Sequence, residues 1–95
     1  MTIADKPRPF LDIAERLKQV RSVLDMDGKE MAKDIGVGYT QYKNWESGAF
    51  RIGLTGAKKL KKRHGISLDY IYDGEFDSLP MSWRKALSEV PSDNA

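Results

Sequence analysis

The sequence predicts an all-α fold made of short helices, and two features of the chain lead to this prediction. Apolar residues recur every three or four positions in several segments, which is the spacing that places them on one face of a helix. Capping residues precede several of these segments and glycines follow them, as expected where helices begin and end. A chain of 95 residues is long enough for one domain with a single small core.

The first predicted helix carries a core-facing apolar stripe with i, i+3, i+7 spacing. Residues 1–9 precede it and contain two prolines and mixed charge, so we expect a flexible N-terminal arm there. The helix should supply a large part of the core. Its stripe consists of Phe10, Ile13, Leu17, Val20 and Leu24.

Residues 27–48 predict two helices, at about 28–35 and 39–47, that meet at a three-residue corner. Asp27 and Glu30 have the spacing of a capping box at the start of the first helix. Gly36 suits the corner, because a helix C-terminus often requires a positive φ and glycine adopts one at little cost.

The second helix of this pair has one aromatic face and one polar face. Tyr42 and Trp45, three residues apart, should be buried. The other side chains are almost all hydrogen-bonding types and none is acidic, which favours contact with a polar, anionic partner. They are Tyr39, Thr40, Gln41, Lys43 and Asn44.

Two more helices should complete the domain. Phe50 and Ile52 are expected to turn inward in the loop before the next helix, for which Thr55 is the candidate N-cap and which ends at Gly65. A short helix should then follow Ser67 and stop at Gly74. His64, as a single histidine without cysteine nearby, is expected to be a packing or helix-end residue.

Residues 75–95 predict an acidic linker followed by one C-terminal helix. Trp83, Leu87 and Val90 share one face of this helix at i, i+4, i+7. An isolated helix of this length is unstable, so that face must dock. It either covers its own domain or meets a partner subunit, and the sequence alone leaves both open. Residues 91–95 should fray.

The charge of the chain is unevenly distributed. Its net charge of +2 says little, but residues 39–66 carry seven basic and one acidic side chain, while residues 67–95 carry two basic and six acidic ones. A basic block of this kind is typical of a nucleic-acid-binding surface, although a solvated helix face would show it as well.

Residues 27–48 resemble the helix-turn-helix of the Cro/CI type, also called the XRE family. The resemblance rests on a small residue at Ala32, the turn residues Gly36 and Val37, and the packing aromatics of the second helix, and the sequence Trp-Glu-Ser-Gly at 45–48 is the usual family ending for that helix. It extends over about residues 10–74. It implies a compact five-helix lambda-repressor-like DNA-binding domain, here with one additional C-terminal helix. Any two amphipathic helices with a glycine corner would share part of this pattern.

The resemblance also implies roles for individual residues. The second helix of the pair would enter the major groove of B-DNA, and its base-reading candidates are Tyr39, Thr40, Gln41, Lys43 and Asn44. Lys29 and Arg51 are the candidate phosphate contacts. Arg21 and Glu46 match a family pair that locks the end of this helix to the first helix.

Two positions depart from the family pattern. Gly28 stands where a phosphate-clamping glutamine is frequent, and Gly38 stands where a serine or threonine usually caps the recognition helix. Both departures remove side-chain groups that reach the DNA backbone, so they raise the alternative of weakened or lost DNA binding.

The leading interpretation is a sequence-specific DNA-binding transcriptional regulator, expected to be a cytoplasmic repressor that acts as a homodimer on an operator. Trp83, Leu87 and Val90 are its candidate dimer or partner surface. The alternative is a protein-interaction module, such as an antitoxin or adaptor, with secondary DNA binding. No catalytic group, metal site, cofactor or small-molecule ligand is expected, because cysteine is absent and no carboxylate pair or phosphate-cradling motif is apparent. We expect no membrane association, since no apolar run approaches about 20 residues.

Overall fold

The computed structural model describes residues 8–90, and within that range the chain is all-helical, with six α-helices, one 3-10 helix and no strand. Most of the predicted N-terminal arm and the predicted frayed end fall on residues 1–7 and 91–95, which lie outside the described residues. The elements are α1 (Leu11–Val23), α2 (Gly28–Ile35), α3 (Tyr39–Glu46), α4 (Leu54–His64), α5 (Leu68–Asp73), the 3-10 helix (Phe76–Ser78) and α6 (Met81–Ser88).

A single core joins these helices. α1 packs against α3, α5 and α6, while α2 packs against α3 and α4. The stripe predicted for α1 is buried at its three central positions, and Phe10 and Leu24 are half-buried at its ends. The largest fully buried side chains come from all parts of the chain between α1 and α5: Leu17, Val20, Met31, Tyr42, Ile52, Leu60, Ile66 and Ile71.

The predicted helix ends are confirmed where the signal is local. The Asp27 carboxylate accepts a hydrogen bond from the Glu30 N–H at 2.8 Å, and the Glu30 carboxylate accepts one from the Asp27 N–H at 2.9 Å, which completes the capping box. Ser67 caps α5 by accepting from the backbone N–H of Tyr70. Gly36 ends α2 with a φ of 76°, in the left-handed region.

The loop before α4 differs from the sequence prediction. α4 begins at Leu54 with Gly53 as its N-cap, so Thr55 already lies inside the helix and is not the cap. Ile52 is buried as predicted, but Phe50 points to solvent. The chain bends at Gly48, whose φ is 82°, and after this bend Ile52 reaches the core and Phe50 does not.

The C-terminal part belongs to the same core. The acidic segment predicted as a linker contains the 3-10 helix, and Leu79 after it is buried. In α6, Leu87 is buried in the core and the indole N–H of Trp83 donates to the His64 carbonyl oxygen at 2.7 Å. Val90 is half-buried. α6 therefore covers its own domain, and Trp83 and Leu87, which we considered as a partner surface, are occupied within the chain.

Candidate nucleic-acid interface

The corner between α2 and α3 is held from three sides. The backbone N–H of Val37 donates to the Ala32 carbonyl oxygen at 2.9 Å, and the Val37 side chain packs against the core. Ala32 is buried where the two helices meet. From α4, the Lys59 ammonium donates to the Gly36 carbonyl oxygen at 2.9 Å. These contacts fix the angle at which α3 leaves α2.

The aromatic face of α3 fixes its rotation. Tyr42 and Trp45 are both buried, and their rings meet edge-to-face with centroids 6.0 Å apart. Gly56 on α4 lies so close to the Trp45 ring that a Cβ atom at position 56 would be 2.4 Å from the ring. The absence of a side chain at Gly56 therefore allows α4 to pack directly onto α3.

The opposite face of α3 is open to solvent. All four of Tyr39, Thr40, Gln41 and Lys43 are exposed, and Asn44 is half-buried. The structure thus places the five predicted base-reading residues on one exposed helix whose inner side is anchored. Gly38, the N-cap, has an extended backbone and provides no side-chain cap.

The starts of α2 and α3 lie side by side. The Lys29 ammonium is 5.6 Å from the centroid of the Tyr39 ring. A Cβ atom at Gly28 would lie 3.3 Å from the Cε1 atom of Tyr39, which is tighter than an ordinary contact. Lys29, the predicted phosphate contact, therefore lies next to Tyr39, the first residue of α3, and both side chains are exposed.

Arg51, the second predicted phosphate contact, is exposed, but its side chain is held by an aromatic neighbour. Its guanidinium carbon lies 4.2 Å from the centroid of the Tyr72 ring in a cation–π contact. The Tyr72 hydroxyl donates to the Ile52 carbonyl oxygen at 2.8 Å, and burial raises the pKa of Tyr72, so the phenol stays neutral. This pairing could not be predicted from the sequence, because Tyr72 lies 21 positions away, in α5.

Arg21 and Glu46 form a bidentate salt bridge between α1 and the end of α3. The Arg21 Nε atom donates to Glu46 Oε2 at 2.8 Å and the Nη2 atom donates to Oε1 at 3.0 Å, while Nη1 donates to the Met26 carbonyl oxygen at 3.1 Å. Hydrogen bonding to Glu46 raises the pKa of Arg21. Nearby, burial raises the pKa of Tyr42, whose hydroxyl has no hydrogen-bond partner among residues 8–90.

A second ion cluster, which the sequence did not reveal, joins α2 to α4. Asp34 accepts from Arg63 at 3.1 Å and lies 2.5 Å from the Nε2 atom of His64. Hydrogen bonds from Arg63 and then His64 hold the pKa of Asp34 below its usual value. His64 thus lies at the end of a helix in a packing position, as the sequence predicted.

The surface formed by α3 and α4 is strongly basic. Glu46 is the only acidic residue between positions 39 and 66, and its carboxylate is engaged by Arg21. On α4, Lys58, Lys61 and Lys62 are exposed. With seven basic side chains and one acidic one, residues 39–66 favour contact with a polyanion.

Within residues 8–90, no group of three or more His, Cys, Asp or Glu side chains is arranged to hold a metal ion. No helix in that range is both long and apolar enough to cross a lipid bilayer.

Comparison with known proteins gives one informative similarity. The chain is 28% identical over 78 residues to an uncharacterised transcriptional regulator in the ATPase CF(0) region of Rhodospirillum rubrum. The alignment covers 75% of this chain and 72% of that protein. No protein-family model matches the sequence, and no solved structure matches it at a significant level.

Proposed function

We propose that this protein is a sequence-specific double-stranded DNA-binding transcriptional regulator, in which α2 and α3 form an XRE-type helix-turn-helix on a lambda-repressor-like five-helix domain. The observation that carries the proposal is the outer face of α3. It is exposed, hydrogen-bonding and free of acidic side chains, on a helix whose inner face is fully anchored. The similarity to a transcriptional regulator supports the same direction.

In this proposal α3 enters the major groove. An α-helix fits that groove, where each base pair presents a distinct pattern of donors, acceptors and methyl groups. Asn44 and Gln41 suit bidentate hydrogen bonding to adenine, Lys43 suits guanine, and the Thr40 methyl suits thymine. Each good bidentate pair contributes about 1–3 kcal/mol of discrimination between bases. A-form RNA is a poor target, since its major groove is too narrow for a helix.

Phosphate contacts would fix the orientation of the domain without reading sequence. Lys29 lies at the start of α2, before α3 in the chain, and Arg51 lies in the loop between α3 and α4. Each has an aromatic neighbour, Tyr39 and Tyr72 respectively, that restricts its position. Partly ordered cations of this kind lose less conformational entropy on binding than free ones.

One domain of this size covers only a short half-site. We therefore propose action as a homodimer on two half-sites about 34 Å apart, and repression by occupying an operator. The DNA itself would then set the relative position of the two copies.

The test is a selection of bound duplexes from a random pool, followed by competition binding with Lys43→Ala/Asn44→Ala. We expect the double variant to lose its preference for the selected sequence while its circular dichroism spectrum stays unchanged. The matched control is Lys58→Ala/Lys61→Ala, which removes exposed charge on α4 and should weaken binding to all sequences alike, if at all. Unaltered selectivity in the α3 variant would show that α3 does not read bases.

A protein-interaction module is the second candidate, and one surface favours it. Phe76 and Met81 are exposed apolar side chains within residues 67–90, a stretch rich in acidic residues. A basic partner with an apolar anchor would suit this surface. If the selection enriches no sequence and binding simply disappears as salt rises, only backbone charge is being recognised. A specific complex with a basic partner protein that Phe76→Ser/Met81→Ser abolishes would then support the module.

A further inference from the structure

A cleft between α2 and α4 is lined mainly by basic side chains. Its volume is about 340 Å³, within the roughly 300–1,000 Å³ of small-molecule sites. Lys59, Lys62 and Arg63 line it from α4, where positions i, i+3 and i+4 share one face. Asp34 and Ile35 line it from α2. The cleft exists only because the two helices pack together, and from the sequence alone we expected no small-molecule ligand.

We propose that this cleft binds a small molecule through a chain of two or three phosphates, and that the bound ligand weakens DNA binding. Nucleotides and inorganic pyrophosphate both carry such a chain. No aromatic side chain lines the cleft to stack on a base, so the phosphates would provide the recognition. The regulatory half of this inference rests on the proposed function, whereas the binding half does not.

The first argument is the charge of the cleft. Three basic side chains stand against one carboxylate, and that carboxylate is already engaged. The Asp34 side chain is 12% exposed and contacts both Arg63 and His64. Among residues 8–90, Lys62 forms no salt bridge. The cleft should therefore attract a further negative group.

The second argument is that a ligand can replace a present contact of the cleft. The Arg63 side chain is 62% exposed, and an ion pair of that exposure contributes little to stability. If Arg63 turns to a phosphate, Asp34 keeps His64 as its partner at 2.5 Å. Arginine suits this role because its guanidinium donates two parallel hydrogen bonds to phosphate oxygens.

The third argument is the position of the cleft. Lys29, the proposed DNA phosphate contact, lies beside the Tyr39 ring at the start of α3. Asp34 follows Lys29 by five positions on α2, which is about 140° around the helix axis. The cleft and the proposed DNA contact therefore lie on different sides of α2. A ligand in the cleft would not act by covering α3.

The fourth argument is that Lys59 connects the cleft to the corner between α2 and α3. Its ammonium donates to the carbonyl oxygen of Gly36 at 2.9 Å, and Gly36 forms the corner with a φ of 76°. A phosphate oxygen carries a charge that this carbonyl lacks, so it attracts the ammonium more strongly. A ligand that draws Lys59 into the cleft removes one of the contacts that fix α3. Ligand and DNA should therefore weaken each other's binding.

The binding test is calorimetric titration of the full chain with inorganic pyrophosphate, ATP and adenosine, without magnesium and at a constant ionic strength of about 0.15 M. We expect one site with a Kd below about 1 mM for pyrophosphate and for ATP, and no binding of adenosine. Lys62→Gln/Arg63→Gln, the cleft variant, should weaken both affinities by about tenfold. The matched control is Lys58→Gln/Lys61→Gln, which removes the same charge from exposed positions of α4 outside the cleft and should bind both ligands as wild type does. Circular dichroism should show that both variants are folded.

The regulatory test measures affinity for the selected duplex in saturating pyrophosphate and in sulfate at equal ionic strength. We expect pyrophosphate to lower the affinity of the wild-type protein about fivefold more than sulfate does. The cleft variant should show no such difference. Without either anion, it should bind the duplex as tightly as the control variant.

The outcomes separate the inference from the proposed function. An absence of pyrophosphate binding overturns the inference, and so does binding that the cleft variant and the control variant weaken equally. A cleft variant that binds DNA more weakly than the control variant without ligand also overturns it, because Lys62 and Arg63 would then contact DNA. Pyrophosphate that binds in the cleft but leaves DNA affinity unchanged overturns the regulatory half. If no duplex sequence is selected, the proposed function fails, while the titration still decides the binding half.

Discussion

Removing the carboxylate of Glu46 tests whether the Arg21–Glu46 pair holds the end of α3 to α1. The side chains are 26% and 12% exposed and share two hydrogen bonds at 2.8 and 3.0 Å. Breaking a fully buried pair costs about 3–5 kcal/mol, and an exposed pair is worth about 0–1 kcal/mol. For this half-buried, two-pronged pair we expect Glu46→Ala to lower the free energy of unfolding by about 2 kcal/mol. At about 4–8 °C per kcal/mol, Tm should fall by about 8–16 °C.

The assay is a double-mutant cycle by urea unfolding, with Arg21→Ala, Glu46→Ala and the double variant. The expected coupling free energy is about 1–2 kcal/mol, because either single change leaves a half-buried charge with fewer partners. The matched control is Glu15→Ala, whose pair with Lys18 is longer, at 3.4 Å, and largely exposed. That change should cost under about 0.5 kcal/mol. A coupling no larger than the control would refute our reasoning. Base preference should be unchanged in every stable variant, since Glu46 faces α1.

The remaining predictions concern the packing of α4. In a helix interior, alanine is normally more stable than glycine by about 1 kcal/mol. At position 56, however, its Cβ atom would lie 2.4 Å from the buried ring of Trp45. Urea unfolding should therefore show that Gly56→Ala is destabilised by about 1–3 kcal/mol. Gly53, where a Cβ atom would meet no atom within 4 Å, is the N-cap of α4, so Gly53→Ala should cost at most about 1 kcal/mol, through a poorer cap. A stabilised Gly56→Ala would contradict this packing. Asp34→Asn should cost about 1–2 kcal/mol at pH 7. Because the folded pKa of Asp34 is depressed, the ionised carboxylate stabilises the fold above its unfolded pKa of about 3.9. The difference between wild type and Asp34→Asn should therefore shrink as the pH falls below about 4, and a difference constant down to pH 3 would contradict the ion cluster.

The sequence predicted those features whose causes lie within a few residues. The capping box at Asp27 and Glu30 and the positive φ of Gly36 depend only on neighbours, so their spacing was sufficient. The position of Phe50 was predicted wrongly, because the path of a loop is decided by the core that it crosses. Thr55 was a plausible cap on local grounds, but the helix begins two residues earlier, with Gly53 as its N-cap.

In the candidate site, too, contacts between residues distant in the chain could not be predicted. Arg51 and Tyr72, like Asp34 and His64, meet only after α5 and α4 have packed, so their spacing in the sequence carries no trace of the contact. The base-reading roles of the α3 residues stay predictions, which the selection of bound duplexes tests.

The departure at Gly28 from the pattern of the resembling family gains a physical interpretation from the contact between α2 and α3. At position 28 any side chain would press on the ring of Tyr39, because a Cβ atom would lie 3.3 Å from it. Glycine there lets the tyrosine lie against the first turn of α2, with the Lys29 ammonium beside its ring. The Tyr39 ring therefore occupies the space beside position 28 into which a side chain there would project. Absence of the phosphate-clamping glutamine at this position does not by itself argue for a helix-turn-helix that has stopped binding DNA. Introducing that glutamine with Gly28→Gln would displace Tyr39, so we expect the variant to bind DNA more weakly than wild type. Tighter binding by the variant would instead mean that position 28 merely lacks a phosphate clamp.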